Sequence, residues 1–90
     1  MQFVWDEAKA RRNFEKHGVT FIEATRVFAD PLALTFDDID HSIDEQRWIT
    51  FGMINGRRYV LVCHTEADLV VRIISAREMT KSERLLYEQG

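Results

Sequence analysis

Arg47, His64, Arg72 and Arg77 are the residues whose types and spacing allow chemistry in this 90-residue chain. A histidine that titrates near neutrality beside a fixed guanidinium is equipped for proton transfer at a phosphate. Arginine adds a planar fork that donates two parallel hydrogen bonds to phosphate oxygens. The plainer reading of Arg47 with His64 is a polar cross-strand pair, worth about 0.2–1 kcal/mol. For Arg72 and Arg77 it is ion pairing with Asp or Glu. Lys9, Lys16 and His17 form a second basic group just before Gly18. That group is most simply a solvated helix edge, placed where an anionic ligand could touch it.

The elements that must position these side chains are two hairpin strands and a central strand. Gln46–Ile54 and Arg57–Thr65 flank Asn55-Gly56, the strongest short hairpin signal there is. A two-residue loop pairs Ile54 with Arg57, Phe51 with Val60, Ile49 with Val62 and Arg47 with His64. Arg47 and His64 are then expected side by side, with Trp48, Thr50, Gly52, Tyr59, Leu61 and Cys63 on the opposite face. The run from Leu69 to Arg77 is rich in branched aliphatics and reads as the central strand. Arg72 and Arg77 sit five residues apart in it, so strict alternation predicts them on opposite faces. The loop Glu66-Ala67-Asp68 leaves open which of them joins Arg47 and His64. A three-residue turn delivers Arg72, and a shift by one delivers Arg77.

Around that frame, Gln2–Trp5 reads as a short strand. Asp6 is a natural N-cap for a helix that Gly18 ends. Helical spacing puts Ala10, Phe14 and His17 on its inner stripe, with Lys9, Asn13 and Lys16 along the edge. Thr20 with Glu23 forms a capping box for a second helix, whose apolar face is Phe21, Ala24, Val27 and Phe28. Asp30-Pro31 ends it, so the two helices make an αα-hairpin. Leu32–Phe36 is a further strand, and Thr80 with Glu83 caps a last helix with Leu85 and Leu86 inward. The order is β-α-α-β-β-β-β-α, an α+β domain over residues 1–90 with a mainly antiparallel sheet.

Composition narrows the function classes. A net charge of −3 argues mildly against a protein that coats nucleic acid. No apolar run reaches the roughly 18 residues a membrane span needs. Acidic residues at Asp6 and Glu7 come too early for a secretory leader. One cysteine, Cys63, excludes an internal disulfide and fits a reducing cytoplasm, as a buried structural thiol. The acidic stretch Asp37, Asp38, Asp40, His41, Asp44, Glu45 fails the calcium-loop template, and no His or Cys pair has zinc spacing. No metal and no cofactor are expected. Ser42, Ser75 and Ser82 lack the context of a serine nucleophile. The one candidate DNA-reading helix, Lys9–Lys16, is a weak one.

The chain resembles the BrnT toxins. The residues that carry the likeness are Trp5-Asp6, Lys9-Ala10, Asn13, Lys16-His17-Gly18, Phe21, Phe28, Asp30-Pro31, Glu45-x-Arg47 and Gly52. It continues through Arg72-Ile73-Ile74-Ser75-Ala76-Arg77 with Thr80, Glu83, Arg84 and Tyr87. The resemblance implies a RelE-like fold and a metal-independent ribonuclease that stops translation. It also implies a ribbon-helix-helix antitoxin partner, BrnA, with two toxins held on an antitoxin dimer. On that reading His64 transfers protons, Arg47, Arg72 and Arg77 clamp phosphate, and Lys9, Lys16 and His17 help bind RNA. The alternative is an inactive module that keeps antitoxin binding. A sequence pI near 5.5 is acidic for a protein that must hold RNA.

Overall fold

Asp6 and Gly18 bracket the first helix as their types require. The computed structural model describes residues 1–90, and in it α1 runs Glu7–His17. The Asp6 carboxylate accepts from the Lys9 amide at 3.0 Å. Gly18 takes φ 72°, open to glycine, and its N–H closes on Phe14 O at 2.8 Å. Thr20 and Glu23 complete their capping box at the head of α2, Phe21–Thr25. A 3₁₀ turn, Arg26–Ala29, continues α2 toward Asp30.

The strands are β1 (Gln2–Val4), β2 (Leu34–Asp37), β3 (Trp48–Ile54), β4 (Arg58–Ala67) and β5 (Val70–Glu78), and α3 is Lys81–Gln89. They form one sheet in the order β1-β5-β4-β3-β2, with β1 parallel to β5 and every other pair antiparallel. Five strands and three helices make a mixed α+β fold. The helical hairpin covers one face, where Val19, Phe21, Ala24 and Val27 meet Ile54, Val60, Val62, Val71, Ile73 and Ala76. The other face has a smaller core of Phe51, Leu61 and Tyr87 under α3. Tyr87 also donates to Asp30 Oδ2 at 2.5 Å, and Asp30 in turn accepts from the Met53 amide at 2.7 Å. Burial would raise the Asp30 pKa, but these bonds outweigh it and leave it lowered, while Tyr87 is pushed up to about 12.

Two inward faces differ from expectation. On α1 the buried residue is Asn13, and Phe14 is half exposed. Asn13 Nδ2 donates to Val19 O (3.1 Å) and Ala76 O (2.8 Å), and its Oδ1 accepts from Ala76 N–H (3.1 Å). Its amide acts as a one-residue strand on the edge of β5 beyond the reach of β1. On α3, Leu85 and Leu86 point outward and Tyr87 is the buried residue.

The hairpin register is shifted by one residue. Asn55 and Gly56 do form the tight turn, at φ 53° and 69°, and Arg57 N–H bonds Ile54 O at 3.2 Å. Arg57 is then an extra residue, and pairing resumes at Ile54↔Arg58. Phe51 therefore opposes Leu61, Ile49 opposes Cys63, and Trp48 opposes His64. A slip of one exchanges the faces of a whole strand. The apolar pattern decides it, because this register sends Val60 and Val62 with Ile54 into the larger core. Gly52 belongs to that face, where a Cβ would lie 2.7 Å from Val27 Cγ1 and 3.1 Å from Val27 O. Gly52→Ala is therefore expected to cost about 1–3 kcal/mol through overpacking, read as a lower denaturant midpoint with an unchanged slope.

A bulge in β5 overturns the second expectation. Cys63 pairs with Ser75 but His64 pairs with Ile73, which leaves Ile74 as an extra residue. The buried positions are accordingly Val71, Ile73 and Ala76, a step of two followed by a step of three. Arg72 and Arg77, five positions apart, thus share the face opposite the helical hairpin. The turn before them is Asp68-Leu69, both at positive φ, with Ala67 paired to Val70.

Candidate active site

The α3 side of the sheet is covered only at the end near the Asn55-Gly56 turn. Beyond Phe51, Leu61 and Tyr87 the surface opens, and there the chain gathers Arg47, Thr65, Arg72, Cys63 and Ser75. Arg47 is carried in just ahead of β3 by a pinned loop. Ser42 Oγ donates to Asp38 O (2.6 Å) and accepts from Arg47 N–H (3.0 Å), while Asp38 N–H donates to Arg47 O (2.9 Å). Glu45 lies in the same loop, and its carboxylate bonds Arg72 Nη2 and lies 3.7 Å from Arg47 Nη2. Arg47 Nε is buried without a hydrogen-bond partner.

Arg77 is engaged differently. Its two Nη atoms donate to the two Glu83 oxygens at 2.7 and 2.9 Å. Glu83 Oε1 also accepts from Thr80 N–H at 2.8 Å, so the pair fastens the head of α3 to β5. Hydrogen bonding to Glu83 raises the Arg77 pKa and, through Arg77, lowers that of Glu83. Cys63 faces the same region, but burial pushes its thiol up, the reverse of what a nucleophile needs.

His64 is not among them. It lies on the opposite face from Arg47, 1% exposed, with its ring edge-on to Phe28 at 4.8 Å. Nδ1 lies 3.3 Å from Thr65 O, and Nε2 lies 2.7 Å from Thr50 Oγ1, itself 2.9 Å from Thr35 Oγ1. A carbonyl can only accept, so Nδ1 carries the proton and Thr50 donates to Nε2. The one-residue slip of the hairpin is the reason: it turned His64 inward with Val60 and Val62.

Burial holds the His64 pKa below its ordinary 6.5, outweighing Thr65 O and the charge of Glu66. The unfolded chain then binds a proton that the folded one refuses, so stability rises with pH across this window. It is fully present above pH 6.5 and declines as pH falls from there toward the folded pKa. Carboxylates with lowered pKa, such as Glu23 and Asp30, start from 4.5 and 3.8 and act only at lower pH. Thermal midpoints of the wild type are expected to fall between pH 7 and 5, and His64→Gln to flatten that slope.

Lys9, Lys16 and His17 lie together as expected, but apart from the arginines. With Arg12, which the sequence reading passed over, they line a groove of about 360 Å³ beside Asn13, Ile74 and Ser75. None of the four cations enters an ion pair. Arg12 follows Lys9 by three residues and precedes Lys16 by four, the spacing of one helix face, and that was its available signal. The acidic loop holds no group of three or more His, Cys, Asp or Glu side chains placed to share a metal ion. No helix is long and apolar enough to cross a membrane.

The arrangement is a set of guanidinium groups on an open sheet face, with a carboxylate between two of them and a second cationic groove round the edge of β5. Such a surface suits a phosphodiester. The structure is similar to that of the Brucella abortus ribonuclease toxin BrnT, at 26% identity and a TM-score of 0.72, over 90% of this chain and 99% of that one. No curated protein compared with it matches. The family model described as the ribonuclease toxin BrnT of type II toxin–antitoxin systems matches residues 5–83. The chain belongs to the BrnT family of ribonuclease toxins of type II toxin–antitoxin systems.

Proposed function

We propose that this chain, with a RelE-like fold, cleaves RNA without a metal by attack of the neighbouring 2′-hydroxyl, and so stops translation in the cytoplasm. Arg47 and Arg72 hold the scissile phosphate and stabilise the charge that gathers on its oxygens. The observation that carries this assignment is the convergence of the Arg47 and Arg72 guanidinium groups on one carboxylate, Glu45, at the open face of the sheet. Arg77 supports the face by anchoring α3. Lys9, Arg12, Lys16 and His17 hold flanking phosphates, which lets a protein of net charge −3 bind RNA through local rather than overall charge. The family's place in type II systems supports an antitoxin partner, here a BrnA-like ribbon-helix-helix protein that carries two toxins on its dimer.

The test is purified protein on total RNA in the presence of EDTA. Cleavage leaving 2′,3′-cyclic or 3′-phosphate ends is the expected result. Products with 5′-phosphate ends, or activity abolished by the chelator, would replace this mechanism with a metal-assisted one.

A further inference from the structure

With His64 in the core, the reaction lacks a group to take the 2′-hydroxyl proton. We infer that Glu45 is that general base, an assignment that rests on the ribonuclease reading above. Six carboxylates lie near this face; Asp40 and Asp44 line one pocket with Glu45 and Arg47 but make no ion pair with either arginine, and three others are otherwise engaged or displaced. Glu83 is bound by Arg77 and by the Thr80 amide. Asp38 is buried and bonded to His41 Nδ1 at 3.1 Å. Glu88 lies at the far end of α3, with Arg84 (3.9 Å) and the Tyr59 hydroxyl (3.5 Å). Glu45 alone is bound only by the two arginines assigned to the phosphate, and its side chain is 44% exposed.

That geometry is the one a base needs. An oxygen within reach of the nucleophile must sit beside, rather than in place of, the groups that hold the phosphate. A guanidinium has five N–H donors, so Arg72 can keep Glu45 on one edge and present others to a phosphate. The anchored loop, through Ser42 to Asp38 O and Arg47 N–H, keeps the carboxylate at the mouth of the site.

In the step itself the 2′-oxygen gives its proton to the Glu45 carboxylate and forms a bond to phosphorus. The bond from phosphorus to the 5′-oxygen breaks, that oxygen leaves with the electron pair, and it takes a proton from solvent. Glu45 then returns its proton to solvent. The products are a 2′,3′-cyclic phosphate and a 5′-hydroxyl, with no water consumed.

The experiment compares wild type, Glu45→Gln and Glu45→Ala on one RNA oligonucleotide, with binding measured separately on a non-cleavable 2′-deoxy analogue. Glu45→Gln is expected to lower kcat by about 10²–10⁴-fold. It should keep or tighten binding of the analogue, and lose the acidic limb of the pH–rate profile. Formate should partly restore Glu45→Ala. A loss of cleavage matched by an equal loss of binding or of thermal stability would make Glu45 a structural partner of the arginines and overturn the proposal. A Glu45→Gln enzyme that cleaves as fast as wild type or faster would also overturn it, leaving the carboxylate as a blocker of the phosphate site. An inactive wild type would fail the ribonuclease reading itself, and the base assignment with it.

Discussion

Alanine at Arg72 or at Arg47 is expected to slow RNA cleavage by about two orders of magnitude each while leaving the fold close to wild-type stability. The two effects separate for a physical reason. A charge clamp aimed at the developing phosphorane is worth ~3 kcal/mol in the transition state. The ion pairs these arginines make with Glu45 are partly exposed, with side-chain accessibilities of 33–44%. Pairs of that kind contribute about 0–1 kcal/mol to folding. Arg77→Ala should behave in the opposite sense. It breaks a two-pronged bond to Glu83 and loosens α3, so stability falls by about 1 kcal/mol while the rate per folded molecule changes by less than about tenfold. Denaturant midpoints and initial rates on the same preparations check both halves. Equal losses of rate in Arg72→Ala and Arg77→Ala would return Arg77 to the phosphate, and an unaffected rate in both Arg47→Ala and Arg72→Ala would remove the site.

Asn13→Ala is expected to be among the most damaging single changes to stability, at roughly 3 kcal/mol. The substitution deletes three hydrogen bonds and leaves the N–H and C=O of Ala76 and the C=O of Val19 buried with nothing to bond. Each such orphan costs about 1–3 kcal/mol, whereas each bond it replaces nets about 1. Against the 5–15 kcal/mol typical of a domain, that is a large share. Asn13→Asp should be no better, because a carboxylate can accept from Ala76 N–H but cannot donate to either carbonyl. Chemical denaturation gives the magnitude, and faster amide exchange at Ala76 in the variant gives the location.

What could be read from the sequence divides along the reach of each interaction. Both capping boxes, Thr20 with Glu23 and Thr80 with Glu83, and the Asp6 and Gly18 caps stand as expected, because their partners lie within one helical turn. The Asn55-Gly56 turn forms for the same reason. Register did not follow from the turn, since Arg57 can be looped out without disturbing Asn55 or Gly56. Only the apolar match of Val60 and Val62 to a distant helical hairpin selects one alternative. Asn13 looked like an edge residue because its partner Ala76 is 63 positions away. The bulge was masked by Ile73-Ile74: two adjacent isoleucines carry no sign of which faces the core. As for the site, Arg47 and Arg72 were legible as chemistry by type, but their meeting through Glu45 depends on a loop tied down by Ser42.

The extra residue at Ile74 has a consequence for how such a protein can change. Alternation along a strand is a parity, and no point substitution alters a parity. Removing Ile74 would leave Cys63 opposite Ser75 and His64 opposite Ile73 in an unbroken ladder, with Val71 and Ile73 still against the helical hairpin and Arg72 still beside Arg77 on the other face. Removing a second residue between Arg72 and Arg77 would turn Val70 and Arg72 to the hairpin side and bring Val71 and Ile73 out, exchanging an aliphatic seal for a buried guanidinium. The strand can therefore lose its one extra residue without any side chain changing face, but not the next.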